Sequence, residues 1–153
     1  MEKIPVRIQI DTKQAFDQHT DRFQTYETGL LYQKENAIYL TYHESNDDRK
    51  EIRTVWKVKP TEAVLIRQGG TGLRARFEEG AVDRTALVTE HGTWPIEIQT
   101  SYLRHNLSLN GGSLRVAYQM DMSGAISQME LDIQVKVLSE IHKEVHNRDG
   151  KRG

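Results

Sequence analysis

Apolar and polar side chains alternate with a period of two along most of this chain, over residues 4–137. The clearest run is residues 129–137, in which five apolar residues at odd positions are separated by Glu130, Asp132, Gln134 and Lys136. This alternation predicts β-strands that bury one face, and no segment of this range has the spacing of an amphipathic helix. The pattern therefore predicts an all-β chain.

Turn-forming residues divide this pattern into nine or ten predicted strands, with a turn about every 8–12 residues. The segment 69–72 (Gly-Gly-Thr-Gly) lacks the Lys-Ser/Thr pair of a P-loop and opens a strand, so it predicts a hairpin turn. Such short links force antiparallel pairing of successive strands. We expect a single antiparallel meander closed into a β-barrel, with a two-sheet sandwich as the alternative.

Local signals give further predictions about individual strands. The polar residues 12–21 predict a loop after the first strand, and residues 92–95 a connection ahead of a later one. Asn110-Gly111 predicts a two-residue hairpin turn with positive φ at both positions. Gly29, inside a strand, predicts a bulge or a close backbone approach. The alternation places Tyr102 on an inner face.

Composition limits the cellular setting. The chain has no cysteine, which excludes disulfides and thiolate chemistry. Its 21 basic and 22 acidic residues give a net charge of −1, so nucleic acid and anionic membranes are not expected partners. No apolar run approaches the roughly 20 residues of a membrane span, and residues 1–7 lack a signal-peptide core. We expect a cytoplasmic protein with a barrel domain at residues 1–138 and a charged tail at 139–153.

The sequence offers no catalytic or metal-binding motif. His142 and His146 have the spacing of two ligands on a helix, but the catalytic zinc motif requires Glu where Lys143 stands, and no third ligand is near. The remaining histidines have no recognisable nucleophile partner, because cysteine and the Gly-x-Ser-x-Gly motif are both absent. We therefore expect no catalytic residue, no metal and no cofactor, and a protein that is not an enzyme.

Several segments together resemble a known family. They are residues 28–32 (TGLLY), 38–44 (IYLTYHE), 54–58 (TVWKV), 64–69 (VLIRQG) and 112–120 (GSLRVAYQM). Their order and spacing resemble the YwiB-like family of small bacterial proteins of unknown function. The resemblance covers about residues 28–137 and implies a calycin-like (lipocalin- or streptavidin-like) closed barrel. It implies no substrate, cofactor or catalytic residue.

A barrel of this kind either fills with side chains or holds one small ligand. The candidate ligand-binding residues supply hydroxyls and one cation, and they are Tyr42, Thr54, Arg67, Thr100 and Tyr118. Arg67 precedes a glycine turn at a strand end, where a guanidinium can lie at the barrel mouth and select a carboxylate or phosphate. Alternatively, Arg67 pairs with Glu27 or Glu62 on the surface.

The leading functional hypothesis is a non-enzymatic binding module that takes a small amphipathic or anionic ligand at the barrel mouth. The alternative is a filled barrel that uses its outer face or an edge for protein interaction or homo-oligomerisation. The sequence does not distinguish between a monomer and a homodimer. An enzyme using hydroxyls and carboxylates inside the barrel ranks last, because no acid–base pair can be named.

Overall fold

Ten antiparallel β-strands form a closed barrel in the computed structural model, which describes residues 1–45 and 51–139. The strands are β1 (Ile4–Phe16), β2 (His19–Lys34), β3 (Ala37–Ser45), β4 (Glu51–Val58), β5 (Ala63–Gly69), β6 (Thr71–Phe77), β7 (Val82–Thr89), β8 (Gly92–His105), β9 (Gly112–Met122) and β10 (Ala125–Val137). Each pairs with its neighbour in sequence, and β1 pairs with β10 to close the wall. The all-β meander closed into a barrel is confirmed.

The inward faces of the strands form the core. On β10, Ile133 and Val135 are buried while Lys136 is exposed, as the alternation predicts. Aromatic rings fill the middle of the barrel: the Phe77 ring lies 5.8 Å from that of Trp56 and 4.8 Å from that of Tyr118. Large buried rings of this kind contribute more hydrophobic stabilisation per residue than smaller side chains do.

The predicted loop at residues 12–21 is wrong. β1 continues to Phe16, and β2 begins at His19 after a two-residue turn in which Asp17 has a φ of 56°. Phe16 pairs with His19 and also with Ser127 of β10, so the backbone hydrogen-bonding groups are satisfied by strand pairing. This hairpin extends past the part of β2 that pairs with β3, and its own side chains are half-buried or exposed, so polar residues are tolerated on both faces.

Two other predicted connections differ from those in the structure. Residues 92–95 belong to β8, because Trp94 and Pro95 pair with β7. The turn predicted at Asn110-Gly111 is shifted by one residue, to Leu109-Asn110, and positive φ occurs at Gly111 (96°) and Gly112 (131°) instead of at Asn110. An isolated bridge between Ser108 and Gly111 closes this connection.

A β-bulge in β8 reverses the predicted orientation of one aromatic residue. The register with β9 shifts between Thr100 and Tyr102. As a result Leu103 points into the core, and Tyr102 lies on the outer wall with 40% of its surface exposed. Placing Tyr102 on the inner face was wrong, because a bulge inserts one residue and inverts the alternation beyond it.

β2 separates from β3 at Gly29, and this separation shapes one end of the barrel. Pairing of β2 with β3 runs only from Gly29 to Lys34. A Cβ at Gly29 would overlap the Thr41 carbonyl oxygen, which confirms the predicted close approach. N-terminal to Gly29, β2 pairs with β1 and diverges from β3.

Candidate ligand site at the barrel mouth

The barrel mouth is the end that carries the β1–β2, β5–β6, β7–β8 and β9–β10 turns. Inward positions near it include Glu27, Glu44, Thr54 and Arg67 on β2 to β5, beside Ile52, whereas those on β6 to β10 are mostly apolar. The partly buried apolar side chains packed against the core on that side include Leu73, Leu87, Met120, Met122 and Met129. Because methionine side chains are flexible and polarisable, this half of the mouth can adapt to apolar ligands of different shape.

Three side chains on neighbouring strands form the centre of the polar half. Thr54 lies opposite Arg67 on the adjacent strand, and it is completely buried. The Thr54 hydroxyl donates a hydrogen bond of 2.8 Å to Glu44 Oε2. Arg67 Nε lies 3.4 Å from the same carboxylate oxygen, and the two side chains are 34% and 23% exposed. The ion pair is therefore half-buried and reaches the solvent at the mouth.

Two tyrosines flank this cluster. The Tyr42 hydroxyl accepts a hydrogen bond of 3.2 Å from Trp56 Nε1. Burial, and then the negative charge of Glu44, raises the pKa of Tyr42. Burial also raises the pKa of Tyr118, against the opposing effect of the Arg67 charge. Both phenols are therefore neutral at physiological pH and able to donate a hydrogen bond.

A second carboxylate faces the same space. Glu27 lies opposite the buried Ile8, and its side chain shares the inner face of the wall. Burial raises the pKa of Glu27, and the negative charge of Glu44 raises it further. The mouth thus contains two interacting carboxylates and the single guanidinium of Arg67.

Two buried polar atoms have no hydrogen-bond partner among the described residues: Arg67 Nε at the mouth, and Thr100 Oγ1 beside the β6–β7 turn, where the Thr100 backbone bonds to Gly80 and Ala81. The 3.4 Å approach of Arg67 Nε to Glu44 meets the distance of an ion pair without the geometry of a hydrogen bond. Buried polar atoms are nearly always satisfied in native proteins, so each exception calls for an explanation.

All five predicted site residues face the interior. The structure brings Tyr42, Thr54 and Arg67 together across β3, β4 and β5, whereas Thr100 and Tyr118 pair with each other on β8 and β9. The alternative surface pairing of Arg67 does not occur, because Arg67 pairs with Glu44. Glu62 instead pairs with Arg76 at 2.7 Å.

The sequence reasoning missed Glu27 and Glu44. The period-two alternation could have identified both residues. Glu44 continues the inward-facing series of Leu40 and Tyr42, and Glu27 continues the inward-facing series of Leu31 and Gly29. Charged residues at strand ends are commonly solvated, which explains why the alternation was not extended to them.

Within the described ranges, no three His, Cys, Asp or Glu side chains converge in a way that could hold a metal ion. The pair His142 and His146 and most of the predicted tail, residues 140–153, lie outside the described residues. In residues 1–45 and 51–139, no helix is both long and apolar enough to cross a bilayer.

A closed antiparallel barrel with a polar cluster at one end places this chain among small all-β barrel proteins. Residues 8–133 match the family described as a domain of unknown function, DUF1934, and the chain belongs to that family. The chain is 25% identical over 119 residues to the uncharacterized beta-barrel protein YwiB of Bacillus subtilis (strain 168), covering 78% of this chain and 83% of that protein.

A solved structure shares the fold. The crystal structure of the ywiB protein from Bacillus subtilis superimposes with a TM-score of 0.78 at 23% identity, covering 86% of this chain and 92% of that chain. The resemblance to the YwiB-like family is confirmed.

Proposed function

We propose that this protein is a cytoplasmic, non-enzymatic binding module that takes one small amphipathic molecule at the barrel mouth. The ligand's polar head contacts Glu27, Glu44 and Arg67, and its apolar part packs on the methionine side of the mouth. Neither nucleic acid nor a membrane is part of this proposal, because the net charge of −1 provides no general attraction to either.

The half-buried ion pair between Arg67 and Glu44 carries this proposal. Placing both charges at the rim of an apolar barrel costs desolvation energy that the pair recovers only in part. Arg67 Nε also stays without a hydrogen-bond acceptor, so the ion pair is incompletely satisfied in the protein alone. A few polar groups that converge beside apolar side chains are typical of a small-molecule site.

The charges of the cluster favour one class of head group. Glu44 already compensates the Arg67 guanidinium, and the nearby Glu27 adds a second negative charge. A carboxylate or phosphate head is therefore repelled by one side of the cluster while it is attracted by Arg67. A cationic or neutral hydrogen-bonding head, such as an amine or an alcohol, avoids this repulsion, and we expect it to bind more tightly.

The test uses displacement of Nile red, a neutral dye that fluoresces in apolar sites, by n-decylamine or n-decanoate below their micellar concentrations. We expect decylamine to displace the dye at lower concentration than decanoate. Arg67→Met removes the cation, and we expect it to increase the preference for the amine about tenfold, equivalent to about 1.4 kcal/mol. The control is Arg84→Met, which alters an exposed arginine of β7 paired with Glu97 on the outer wall.

Each result has a defined meaning. Equal preference in the Arg67→Met variant and the native protein would show that Arg67 does not contact the head group. Absence of Nile red binding, with decylamine and decanoate also failing to raise the melting temperature, would leave the cluster a structural feature and contradict the proposal.

A further inference from the structure

One stretch of β2 has a free edge. Residues 19–28 pair with β1, and pairing with β3 begins only at Gly29. In the part of the chain that the structure describes, no strand pairs with the other edge of residues 19–28. The backbone groups along this edge are available to a further strand.

Two aromatic residues lie exposed on this otherwise polar edge. Phe23 and Tyr26 are 54% and 53% exposed, whereas Leu31, farther along the same strand, is completely buried. Natural sheets protect free edges with proline, lysine or a bulge. Residues 19–28 contain neither proline nor lysine, and their pairing with β1 is continuous. Exposed aromatic residues on an edge that lacks proline, lysine and a bulge indicate a surface that pairs with another strand.

We propose that the occupant of this edge is a second copy of the chain, with the two β2 strands antiparallel about a two-fold axis at Phe23. Opposite residues in an antiparallel pair share one face. Centring on Phe23 therefore places Phe23 against Phe23 of the other copy and Arg22 against Gln24. His19 faces Glu27 of the other copy, and the paired stretch, residues 19–27, uses nearly the whole free edge.

The charge pattern selects this register over its neighbours. Moving the axis by one residue to Arg22 would oppose two arginines, and moving it to Gln24 would oppose Asp21 and Glu27. Like charges directly opposite each other destabilise a strand pair. Centring on Phe23 opposes no like charges, and it joins the two barrel walls into one continuous sheet with an isologous contact.

The absence of native cysteine makes the register directly testable. A single cysteine at the axis faces its own copy, so we expect Phe23→Cys to give a disulfide-linked dimer under mild oxidation. The geometry suits a disulfide because opposite Cβ atoms in antiparallel pairs approach closely. Arg22→Cys lies off the axis, and Val82→Cys is a matched control: Val82 is 48% exposed on β7, far around the barrel. We expect both to cross-link at least tenfold more slowly.

Sedimentation equilibrium of the full chain provides an independent measurement. We expect a concentration-dependent dimer that Phe23→Glu weakens at least tenfold and Val82→Glu leaves unchanged. A native chain that stays monomeric up to its solubility limit would overturn the proposal. So would cross-linking of Phe23→Cys no faster than that of Val82→Cys, while faster cross-linking of Arg22→Cys than of Phe23→Cys would exclude this register.

Discussion

Glu27 links the ionisation of the mouth to the stability of the barrel. Its pKa in the folded protein is raised from 4.5 by burial and by the neighbouring negative charge of Glu44. Between its unfolded and folded pKa values, the folded state therefore binds more protons than the unfolded state. The free energy of unfolding contributed by Glu27 decreases as the pH rises through that interval, from about 4.5 upward.

We therefore expect Glu27→Gln to be more stable than the native chain at pH 7 by up to about 0.5 kcal/mol, the usual range for partly exposed sites. At pH 4 the native side chain is largely protonated and resembles glutamine, so the two proteins should have nearly equal stability. Urea unfolding at both pH values measures the difference. An equal gain at pH 4 and pH 7 would show that ionisation is not its cause.

Thr54 and Thr100 are two buried threonines with different hydrogen bonding. Thr54 donates to Glu44, whereas the Thr100 hydroxyl has no partner among the described residues. Replacing an unsatisfied buried hydroxyl with a methyl group removes a desolvation cost, so we expect Thr100→Val to stabilise the protein by about 1 kcal/mol. Thr54→Val leaves a half-buried carboxylate without its donor, and we expect a loss of about 1–2 kcal/mol.

Thermal or urea unfolding of the two valine variants, measured side by side, provides the comparison. If Thr100→Val were as destabilising as Thr54→Val, the Thr100 hydroxyl would have a partner in solution. In the Nile red assay we expect Thr54→Val to weaken binding more, because Thr54 positions Glu44.

Strand β10 presents opposite faces at neighbouring positions. Ile133 is buried between β1 and β9, and Asp132 lies on the outer wall, where Gln134 donates to it at 2.7 Å and Arg115 lies 3.4 Å away. We expect Ile133→Asp to unfold the domain, because an unpaired buried charge costs several kcal/mol against a total stability of about 5–15 kcal/mol. We expect Asp132→Lys to cost only about 0.5–1 kcal/mol.

Circular dichroism and urea unfolding of the two variants test this assignment of faces. Similar losses at positions 132 and 133 would contradict it. The comparison is sensitive because the two residues are adjacent, so strand propensity and distance from the strand ends are nearly the same for both.

At the scale of the whole molecule, the first and last strands close the wall. β1 pairs with β10 from Val6 to Phe16, so its partner is supplied by the far end of the chain. Closure therefore depends on contacts between distant residues, which must overcome loop-closure entropy before they stabilise the fold.

Two truncated chains distinguish the contribution of barrel closure to stability from that of the C-terminal tail. A chain ending at residue 139 keeps all ten strands, and we expect cooperative unfolding with a midpoint close to that of the full chain. A chain ending at residue 124 lacks β10 and leaves β1 and β9 with free apolar edges, and we expect no cooperative transition. Loss of cooperative unfolding in the chain that ends at residue 139 would assign a structural role to residues 140–153.

The sequence by itself determined the strand content, the antiparallel order and most of the inward face. These features were predictable because each strand buries one side, which imposes a period of two on residues such as Ile133 and Val135. The inward orientation of Tyr42, Thr54 and Arg67 follows from the same alternation, so much of the candidate site was within reach of the sequence.

Tertiary structure decided the features that the local alternation did not predict. The bulge before Tyr102 depends on pairing with β9, and the long β1–β2 hairpin depends on support from β10. The pairing of Arg67 with Glu44 and the free edge of β2 depend on where β3 leaves β2 at Gly29. Periodicity reports which face of a strand is buried, whereas these features depend on where neighbouring strands begin, end and shift relative to one another.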